Sequence, residues 1–229
     1  LQALSSGALA ALQEHLGKGT NDDGKALVKE DFGMSQFWYD EETQKALARE
    51  VLRVAKEAGG SDGGVVAILS APSIMNGLAL LKAEQEIDEQ DAGLRVCIFE
   101  YDKRFGDSYP DQFSFYDFNK PLDVPSELHG RCDFLVADPP YLNEPTISQF
   151  LKSMDILSRD RGGLKCKQMF ITSPLQHAFL ATKGFRRTAF QLHFQSKFST
   201  PISVFTNYSV ESNDWLMGGW LEEEREEES

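Results

Sequence analysis

The sequence lacks a glycine-rich turn at the place where most nucleotide-binding sheets have one. Its first buried β run, residues 65–69, is followed by Ser70-Ala71-Pro72-Ser73, a segment that contains no glycine. Dinucleotide-binding folds place glycines after the first strand so that the backbone can approach a pyrophosphate closely. The absence therefore weakens any assignment to the general class of nucleotide-binding proteins.

Other patterns are missing as well. No apolar run approaches the roughly 20 residues of a membrane span and no signal peptide is recognisable, so we expect no membrane association. The three cysteines, Cys97, Cys132 and Cys166, have no paired ligand spacing, and the four histidines form no ligand or triad pattern. We therefore predict no metal site and no Ser-His-Asp or Cys-His catalysis. The thiols are expected to be free and buried in a reducing compartment.

Positive charge is scarce. The chain has 23 lysines and arginines against 36 acidic residues, which gives a formal charge of −13. Part of the excess lies in residues 221–229, which we predict to be an acidic disordered tail. Proteins that bind duplex DNA normally need a basic surface, because phosphate contacts dominate their affinity. The charge counts against a nucleic-acid partner and favours a basic protein partner.

What is present is an alternation of apolar runs and helical patterns, typical of an α/β fold. We predict an N-terminal helix and linker over 1–31 and one folded domain over 32–220. The predicted strands are 65–69, 95–99, 113–118, 134–137 and 168–172. The predicted helices are 40–58, 72–90, 144–158 and 175–182. The last two β runs, 188–194 and 202–208, leave no room for a crossover helix and are predicted to form an antiparallel hairpin.

The most distinctive strand end is Asp138-Pro139-Pro140-Tyr141, which follows the buried run 134–137. Ligands of open α/β sheets bind at such carboxyl ends. The Asp138 carboxylate and the Pro139 carbonyl can accept hydrogen bonds from an amine, and the Tyr141 ring can favour positive charge on it. This combination suits methyl transfer to nitrogen, where catalysis is mostly orientation and electrostatics. The alternative is that the prolines merely end a strand.

Three further segments could bind a cofactor, and each has a structural alternative. Ser35, Gln36, Phe37, Trp38 and Tyr39 either form the wall of a cofactor pocket or anchor the following helix in the core. Glu100 or Asp102, at the tip of the second strand, could accept ribose hydroxyls or could be a surface carboxylate. At the end of the third strand, Asp117 could bind an adenine amino group while Phe118 flanks the ring.

These motifs occur together and in order: Ser35-Gln36-Phe37-Trp38-Tyr39, Ser70-Ala71-Pro72-Ser73, residues 98–105, Phe115-Tyr116-Asp117 and residues 137–142. In this combination the chain resembles the eukaryotic elongation factor 1-alpha lysine methyltransferases, a family first described as adenine-specific DNA methyltransferases. The similarity covers roughly residues 5–208. It implies a three-layer, seven-stranded mixed sheet of the class I (Rossmann-like) methyltransferase type, closed by a C-terminal antiparallel hairpin. Residues 32–220 would then be the methyltransferase domain.

The resemblance implies a cytoplasmic enzyme that uses S-adenosyl-L-methionine to methylate a lysine of elongation factor 1-alpha. By motif, Asp138, Pro139, Pro140 and Tyr141 would hold the target amine. The cofactor would be bound by Asp138 together with residues from the earlier motifs. These are Ser35, Gln36, Phe37, Trp38, Tyr39, Ser70, Ala71, Pro72, Ser73, Glu100, Asp102, Asp117 and Phe118. We expect a monomer. The chain departs from the family at Thr200-Pro201-Ile202, where an Asn followed by an aromatic residue is usual.

Two alternatives remain open at this point. The first is an adenine exocyclic-amino methyltransferase acting on DNA or RNA, which the Asp138 to Tyr141 motif also fits but which needs a basic approach path. The second is an inactive fold that serves as a protein-binding module. In either enzyme the methyl group would pass directly to nitrogen. A lysine must first lose its proton, and an aspartate of ordinary pKa is a poor general base for it.

Overall fold

A computed structural model describes residues 38–59, 64–87, 93–160, 166–195, 200–208 and 219–221. The helices are α1 (Glu41–Gly59), α2 (Pro72–Ala83), α3 (Arg104–Ser108), α4 (Glu144–Leu157) and α5 (His177–Ala181). The strands are β1 (Val65–Leu69), β2 (Arg95–Glu100), β3 (Phe113–Phe115), β4 (Phe134–Ala137), β5 (Lys167–Thr172), β6 (Arg186–Arg187) and β7 (Ser203–Thr206). Short 3₁₀ turns span Ser126–Leu128 and Pro174–Gln176.

All seven strands form one sheet in the order β3-β2-β1-β4-β5-β7-β6. Strands β1 to β5 are parallel, and β7 pairs antiparallel with both β5 and β6. The chain order reverses beside β1, which makes the carboxyl ends of β1, β2 and β4 the expected ligand-binding edge. The predicted seven-stranded mixed sheet with a C-terminal antiparallel hairpin is confirmed.

Helices cover both faces of the sheet and bury two separate cores. On one face α1 and α2 pack over alternate strand residues, among them Val66, Ile68, Phe134, Val136 and Met169. On the other face α4 and α5 pack over the intervening residues, among them Leu69, Leu135, Ala137 and Phe170. The alternation follows from the period of two residues in a strand. Consecutive residues past a strand end therefore emerge on opposite faces.

Helix α1 begins as the sequence predicts, and α2 is shorter than predicted. Asp40 caps α1 by accepting a hydrogen bond from the Thr43 amide (2.8 Å). The α2 helix ends at Ala83 instead of continuing to about residue 90, because Gln85 takes a positive φ of 61° and the Glu86 amide donates back to the carbonyl of Leu81 at 2.9 Å. Past this end, Glu84 contacts Lys45 at 3.1 Å, and Glu86 contacts Arg49 at 2.9 Å. These ion pairs join the end of α2 to α1.

The third strand and the hairpin also differ from their predicted bounds. Strand β3 ends at Phe115 instead of residue 118, because Asp117 folds the chain into a turn by accepting a hydrogen bond from the Asn119 amide (2.9 Å). The first hairpin strand lies at Arg186–Arg187 and not at 188–194. Within the predicted run, Phe194 forms an antiparallel β-bridge with Tyr39 and not with the second hairpin strand. The amide of Asp40 donates to the carbonyl of His193 at 2.9 Å.

Several other predictions can be placed. Cys97, Cys132 and Cys166 are free and buried, as predicted. None of the helices in the described part of the chain combines the length and apolar character needed to cross a bilayer. The predicted N-terminal helix and linker over 1–31 lie outside the described residues, as does the predicted acidic tail except for Leu221, whose amide donates to the carbonyl of Arg187 at 2.9 Å.

Candidate active site

The Asp138 to Tyr141 corner stands at the ligand-binding edge of the sheet. The Asp138 amide donates to the carbonyl of Leu69 at 3.0 Å, which extends the pairing of β4 with β1 by one residue. Pro139 is buried and Pro140 is half-buried, whereas the Tyr141 ring is 53% exposed. Two prolines prevent further strand pairing and stiffen the corner. The aromatic ring is thus presented to incoming molecules beside a fixed carboxylate.

The side chain of Asp138 is held by a tyrosine from a distant part of the chain. The Tyr39 hydroxyl donates a hydrogen bond to Oδ2 of Asp138 at 2.7 Å. Burial raises the pKa of Asp138 to about 7, the hydrogen bond from Tyr39 lowers it, and the negative charge of Glu100 adds to the rise. The carboxylate is half-buried, so water that reaches it limits the rise.

Glu100 lies at the tip of β2, on the same face of the sheet as Asp138. It is buried, and its Oε1 atom accepts hydrogen bonds from the amides of Tyr101 (2.8 Å) and Asp102 (3.2 Å). Burial raises the pKa of Glu100 to about 7, against the lowering effect of these two amides. Only β1 separates β2 from β4, so Glu100 and Asp138 flank one part of the edge.

Asp102 is engaged differently from Glu100. Both of its carboxylate oxygens accept hydrogen bonds from the Arg104 guanidinium, the shortest at 2.6 Å. An ion pair of this kind already satisfies the charge and directs it away from a ligand. Of the two acids that the sequence offers for ribose binding, Glu100 is therefore the one without a basic partner among the described residues.

The turn after β1, which contains no glycine, begins with a serine in a strained backbone conformation. Ser70 has a positive φ of 52°, and its amide donates to the carbonyl of Phe99 at 2.8 Å. Pro72 then opens α2 at the position where a missing amide hydrogen costs nothing. Ala71 and Ser73 are buried. The first turn of α2 thus points its amide groups at the edge of the sheet, where a carboxylate group would be stabilised.

Two aromatic side chains connect the third strand to the corner. Phe118 lies in a T-shaped contact with Tyr141 at 6.0 Å and stacks on Phe150 at 6.1 Å. The neighbouring Asp117 is half-buried, and its Oδ1 atom accepts hydrogen bonds from both the amide and the side chain of Asn119. Phe118 therefore links the predicted adenine region to the predicted amine region through ring contacts.

Comparisons with known proteins identify the family of this chain. Residues 30–210 match a family model described as a probable N6-adenine methyltransferase. The mouse protein named EEF1A lysine methyltransferase 1 is 37% identical over 167 residues, which covers 69% of this chain and 72% of the relative. A Caenorhabditis elegans protein-lysine N-methyltransferase, M142.8, is 29% identical over 185 residues and covers 80% of each chain.

The chain belongs to the EEF1A lysine methyltransferase 1 family.

A solved structure supports the fold of this family member independently. The branched-chain polyamine synthase of Thermus thermophilus, determined with N4-aminopropylspermidine and 5′-methylthioadenosine, superposes with a TM-score of 0.50 at 12% identity. The match covers 87% of this chain and 63% of the synthase. At such low identity the likeness concerns the fold alone.

The structure brings most of the predicted site residues of this methyltransferase family member to one edge. Tyr39, Glu100, Asp138 and the Ser70 to Ser73 turn lie at the carboxyl ends of β1, β2 and β4 or against them. Trp38 is buried in the core, with its ring centre 6.3 Å from that of Phe105, and its contact with the cofactor stays a prediction. Ser35, Gln36 and Phe37 lie outside the described residues.

Two contacts at this edge were not foreseen from the sequence. The Gln176 side chain donates to the carbonyl of Leu142 at 3.0 Å and ties the loop after β5 to the corner after β4. The Phe194 ring packs against Tyr39 with the ring centres 5.0 Å apart. No local sequence pattern identifies Gln176 or Phe194 as a residue of the site. For Gln176 the fold class offered a signal, because neighbouring strands β4 and β5 bring the loops that follow them close together.

Proposed function

We propose that this protein transfers methyl groups from S-adenosyl-L-methionine to a lysine of elongation factor 1-alpha, in the cytoplasm and as a monomer. The relatives named EEF1A lysine methyltransferase 1 support the reaction and the substrate. The observation in this structure that carries the proposal is the corner at the end of β4. A carboxylate held on one oxygen by Tyr39 lies beside an exposed ring, at the edge where this fold binds ligands.

The described residues fit S-adenosyl-L-methionine. Glu100 and Asp138 are acids with raised pKa values and no basic partner among the described residues, so a cationic ligand at this edge would relieve an unfavourable environment. The cofactor supplies an electrophilic methyl group on a positively charged sulfur. We propose that Glu100 accepts the ribose hydroxyls, that the first turn of α2 meets the cofactor carboxylate, and that Asp117 and Phe118 border the adenine.

The residues of the corner would orient the lysine. In this proposal Oδ1 of Asp138 and the Pro139 carbonyl accept the two hydrogens of the neutral amine, and the Tyr141 ring covers it. Holding the amine nitrogen in line with the methyl group lowers the activation barrier, because the entropy of orientation is already lost when the substrate binds. The cation–π attraction of the Tyr141 ring favours the positive charge that develops on the amine nitrogen during transfer.

The proton of the lysine must leave before transfer, and Asp138 does not provide a matched base. Its pKa of about 7 is higher than the ordinary value assumed from the sequence. A gap of about three units still separates it from an ordinary lysine. Desolvation and the nearby sulfonium would lower the pKa of the lysine, while the negative charge of Asp138 opposes part of that change. We propose that the proton passes to solvent while the amine enters the pocket, where desolvation and the sulfonium lower its pKa.

The two alternative functions are not favoured. Methylation of adenine agrees with the description of the family model, but the curated relatives are named for lysine methylation and the formal charge of −13 opposes a polyanion. An inactive binding module disagrees with relatives that are named as methyltransferases.

The experiment compares candidate substrates in separate reactions. Purified protein and methyl-labelled S-adenosyl-L-methionine are incubated with elongation factor 1-alpha, with DNA or with RNA. The products are mapped by mass spectrometry. We expect label on a lysine of the factor and none on nucleic acid, with Asp138→Asn as the matched control that loses the signal. Label found only on adenine would overturn the proposed function, and no transfer to any substrate would favour the binding module.

A further inference from the structure

We propose that Tyr39 is a positioning residue, which fixes the Asp138 carboxylate so that only one of its oxygens faces the substrate amine. This inference rests on the proposed function for the identity of the amine. Its structural basis is the hydrogen bond from the Tyr39 hydroxyl to Oδ2 of Asp138, 2.7 Å long, between residues 99 positions apart in the chain. The interaction joins the Trp38-Tyr39 segment directly to the catalytic corner.

Tyr39 is immobilised from several directions. Its backbone forms an antiparallel bridge with Phe194, flanked by hydrogen bonds from the Asp40 amide to His193 (2.9 Å) and from the Gln195 amide to Trp38 (3.0 Å). Its ring is 2% exposed. A side chain held by this much packing has little freedom to swing, so it can serve as a fixed reference point for a second side chain.

Additional contacts restrain the same tyrosine. The side chain of Gln44, on α1, donates a hydrogen bond to the Tyr39 carbonyl. The Phe194 ring packs on the phenol ring at an angle of 47°. These contacts involve the backbone and the ring of Tyr39, and none of them involves its hydroxyl. A change of tyrosine to phenylalanine therefore keeps the anchoring and removes only the hydrogen bond to Asp138.

The phenol is suited to donate and not to titrate. Burial and the negative charge of Asp138 hold the pKa of Tyr39 well above its usual value, so the hydroxyl keeps its proton throughout the working range of pH. A protonated phenol directed at a carboxylate can only donate. Oδ2 is thereby occupied, and Oδ1 has no hydrogen-bond partner among the described residues. The amine is left with one defined acceptor on Asp138.

The same hydrogen bond supports the ionised form of Asp138. Two titratable groups among the described residues act on this carboxyl: Tyr39 lowers its pKa, and Glu100, at the tip of β2, raises it. Without the hydroxyl, burial and Glu100 act unopposed, and the carboxyl retains its proton to a higher pH. A protonated Asp138 loses acceptor capacity for the amine.

The chain offers a matched control for this test. Tyr208 is also a buried tyrosine whose hydroxyl donates to a carboxylate, in this case Oε1 of Glu50 at 2.9 Å. Tyr208 follows β7 and lies at the opposite edge of the sheet, beside the start of β5. Both Tyr39→Phe and Tyr208→Phe thus remove a hydroxyl that donates to a carboxylate. Only Tyr39→Phe affects a carboxylate of the corner after β4.

The experiment measures steady-state transfer against pH for both variants. We expect Tyr39→Phe to lower kcat by about 10- to 100-fold through misorientation, with the KM for S-adenosyl-L-methionine within about threefold of the wild type. The acidic limb of its kcat profile should move to higher pH. Tyr208→Phe should keep the wild-type kcat and profile. An unchanged kcat and limb in Tyr39→Phe would overturn the proposal, as would a raised KM with kcat unchanged, which indicates a cofactor wall.

A second measurement keeps the inference separate from the proposed function. The carboxyl carbon of Asp138 is titrated by ¹³C NMR in the wild type and in Tyr39→Phe, with no substrate present. We expect titration at higher pH in the variant, and identical curves would overturn the contact itself even if no methyl transfer to elongation factor 1-alpha were found. Should Tyr39→Phe fail to fold, the hydroxyl proton of Tyr39 is followed by ¹H NMR in the wild type. A hydroxyl proton that exchanges with water as fast as that of a free phenol would contradict the contact with Asp138.

Discussion

Buried or half-buried carboxylates stand at both edges of the central sheet, and the two edges differ in how these acids are paired. At the amino-terminal edge Asp133 ion-pairs with Arg159 at 3.1 Å and accepts the Val65 amide at 3.0 Å. Near the same edge Glu50, fully buried, accepts two hydrogen bonds from the Arg53 guanidinium. Here every buried acid that the structure describes has a basic partner.

At the carboxyl-terminal edge the buried Asp102 is paired with Arg104, and the two remaining acids are Glu100, which is buried, and Asp138, which is half-buried. Neither has a basic partner in the described part of the chain, and burial raises both pKa values to about 7. A carboxylate in this environment reduces the stability of the ligand-free protein and becomes favourable only when a cation binds. The comparison indicates that a basic partner, more than burial itself, distinguishes a structural acid from an acid that binds a ligand.

The strongest test of this contrast removes the charge at the catalytic edge. Asp138→Asn should lower the rate of methyl transfer by at least about 100-fold, because a developing charge loses an oriented partner. The melting temperature should stay the same or rise, since an unfavourably buried acid is gone. Single-turnover kinetics and differential scanning calorimetry check both effects. A collapse of cofactor affinity would show that Asp138 mainly binds the cofactor.

The reciprocal test removes a paired acid at the amino-terminal edge. Glu50→Ala should lower the free energy of unfolding by about 3 kcal/mol, because it leaves the Arg53 guanidinium without its buried partner. The activity per folded molecule should be unchanged. Denaturant unfolding measures the loss, with Glu57→Gln as the control. Glu57 is an exposed acid that pairs with Arg53 at 2.6 Å and with Lys167 at 2.7 Å, and exposed pairs each contribute less than about 1 kcal/mol. Loss of activity without loss of stability would contradict the division between the edges.

A third variant distinguishes the two acids that follow β2. Glu100→Gln should raise the KM for S-adenosyl-L-methionine about 10-fold, the cost of one hydrogen bond to a charged group, and should change kcat much less. Asp102→Asn, which removes the charge that is paired with Arg104, should change the KM less than Glu100→Gln does. Isothermal titration calorimetry with S-adenosylhomocysteine checks the order. A larger effect at Asp102 would assign the ribose to that residue instead.

The smallest expected effect is a change of cofactor stabilisation with pH. The folded-state pKa values of about 7 for Glu100 and Asp138 lie above the ordinary carboxyl values. Both acids therefore favour the ligand-free fold at low pH, and this contribution is lost between about pH 4 and pH 7 as the groups ionise. The cationic cofactor needs the ionised acids, so the shift in melting temperature that it causes should grow from about pH 6 to about pH 8. A shift independent of pH would contradict the pairing argument.

Much of the fold could be predicted because it depends on local patterns. The apolar runs located β1, β2, β4 and β5, the capping residue Asp40 located α1, and the alternation rules for parallel sheets placed Glu100 and Asp138 at one edge. Two of the wrong bounds depend on local turns that the apolar pattern does not show. Asp117 accepts the Asn119 amide after β3, and Gln85 takes a positive φ after α2. The first hairpin strand was misplaced for another reason, because Phe194 pairs with Tyr39, a residue far away in the chain.

The candidate site shows the same limit. Asp138 could be singled out from its own neighbours, since the two prolines and the tyrosine that follow it end the strand in a stiff corner. Tyr39 could be assigned to the site by motif, but its bond to Asp138 could not be predicted. The two residues are 99 positions apart, and their approach requires the bridge to Phe194, which itself replaces the predicted hairpin strand.

The most direct measurement is a crystal structure of the protein with S-adenosylhomocysteine and a lysine-containing fragment of elongation factor 1-alpha. We expect the ε-amino nitrogen within hydrogen-bond distance of Oδ1 of Asp138 and the Pro139 carbonyl oxygen, with the ribose hydroxyls at Glu100. An adenosyl group bound away from the tips of β1, β2 and β4, or an Asp138 carboxylate closed off from the lysine, would contradict the proposed site.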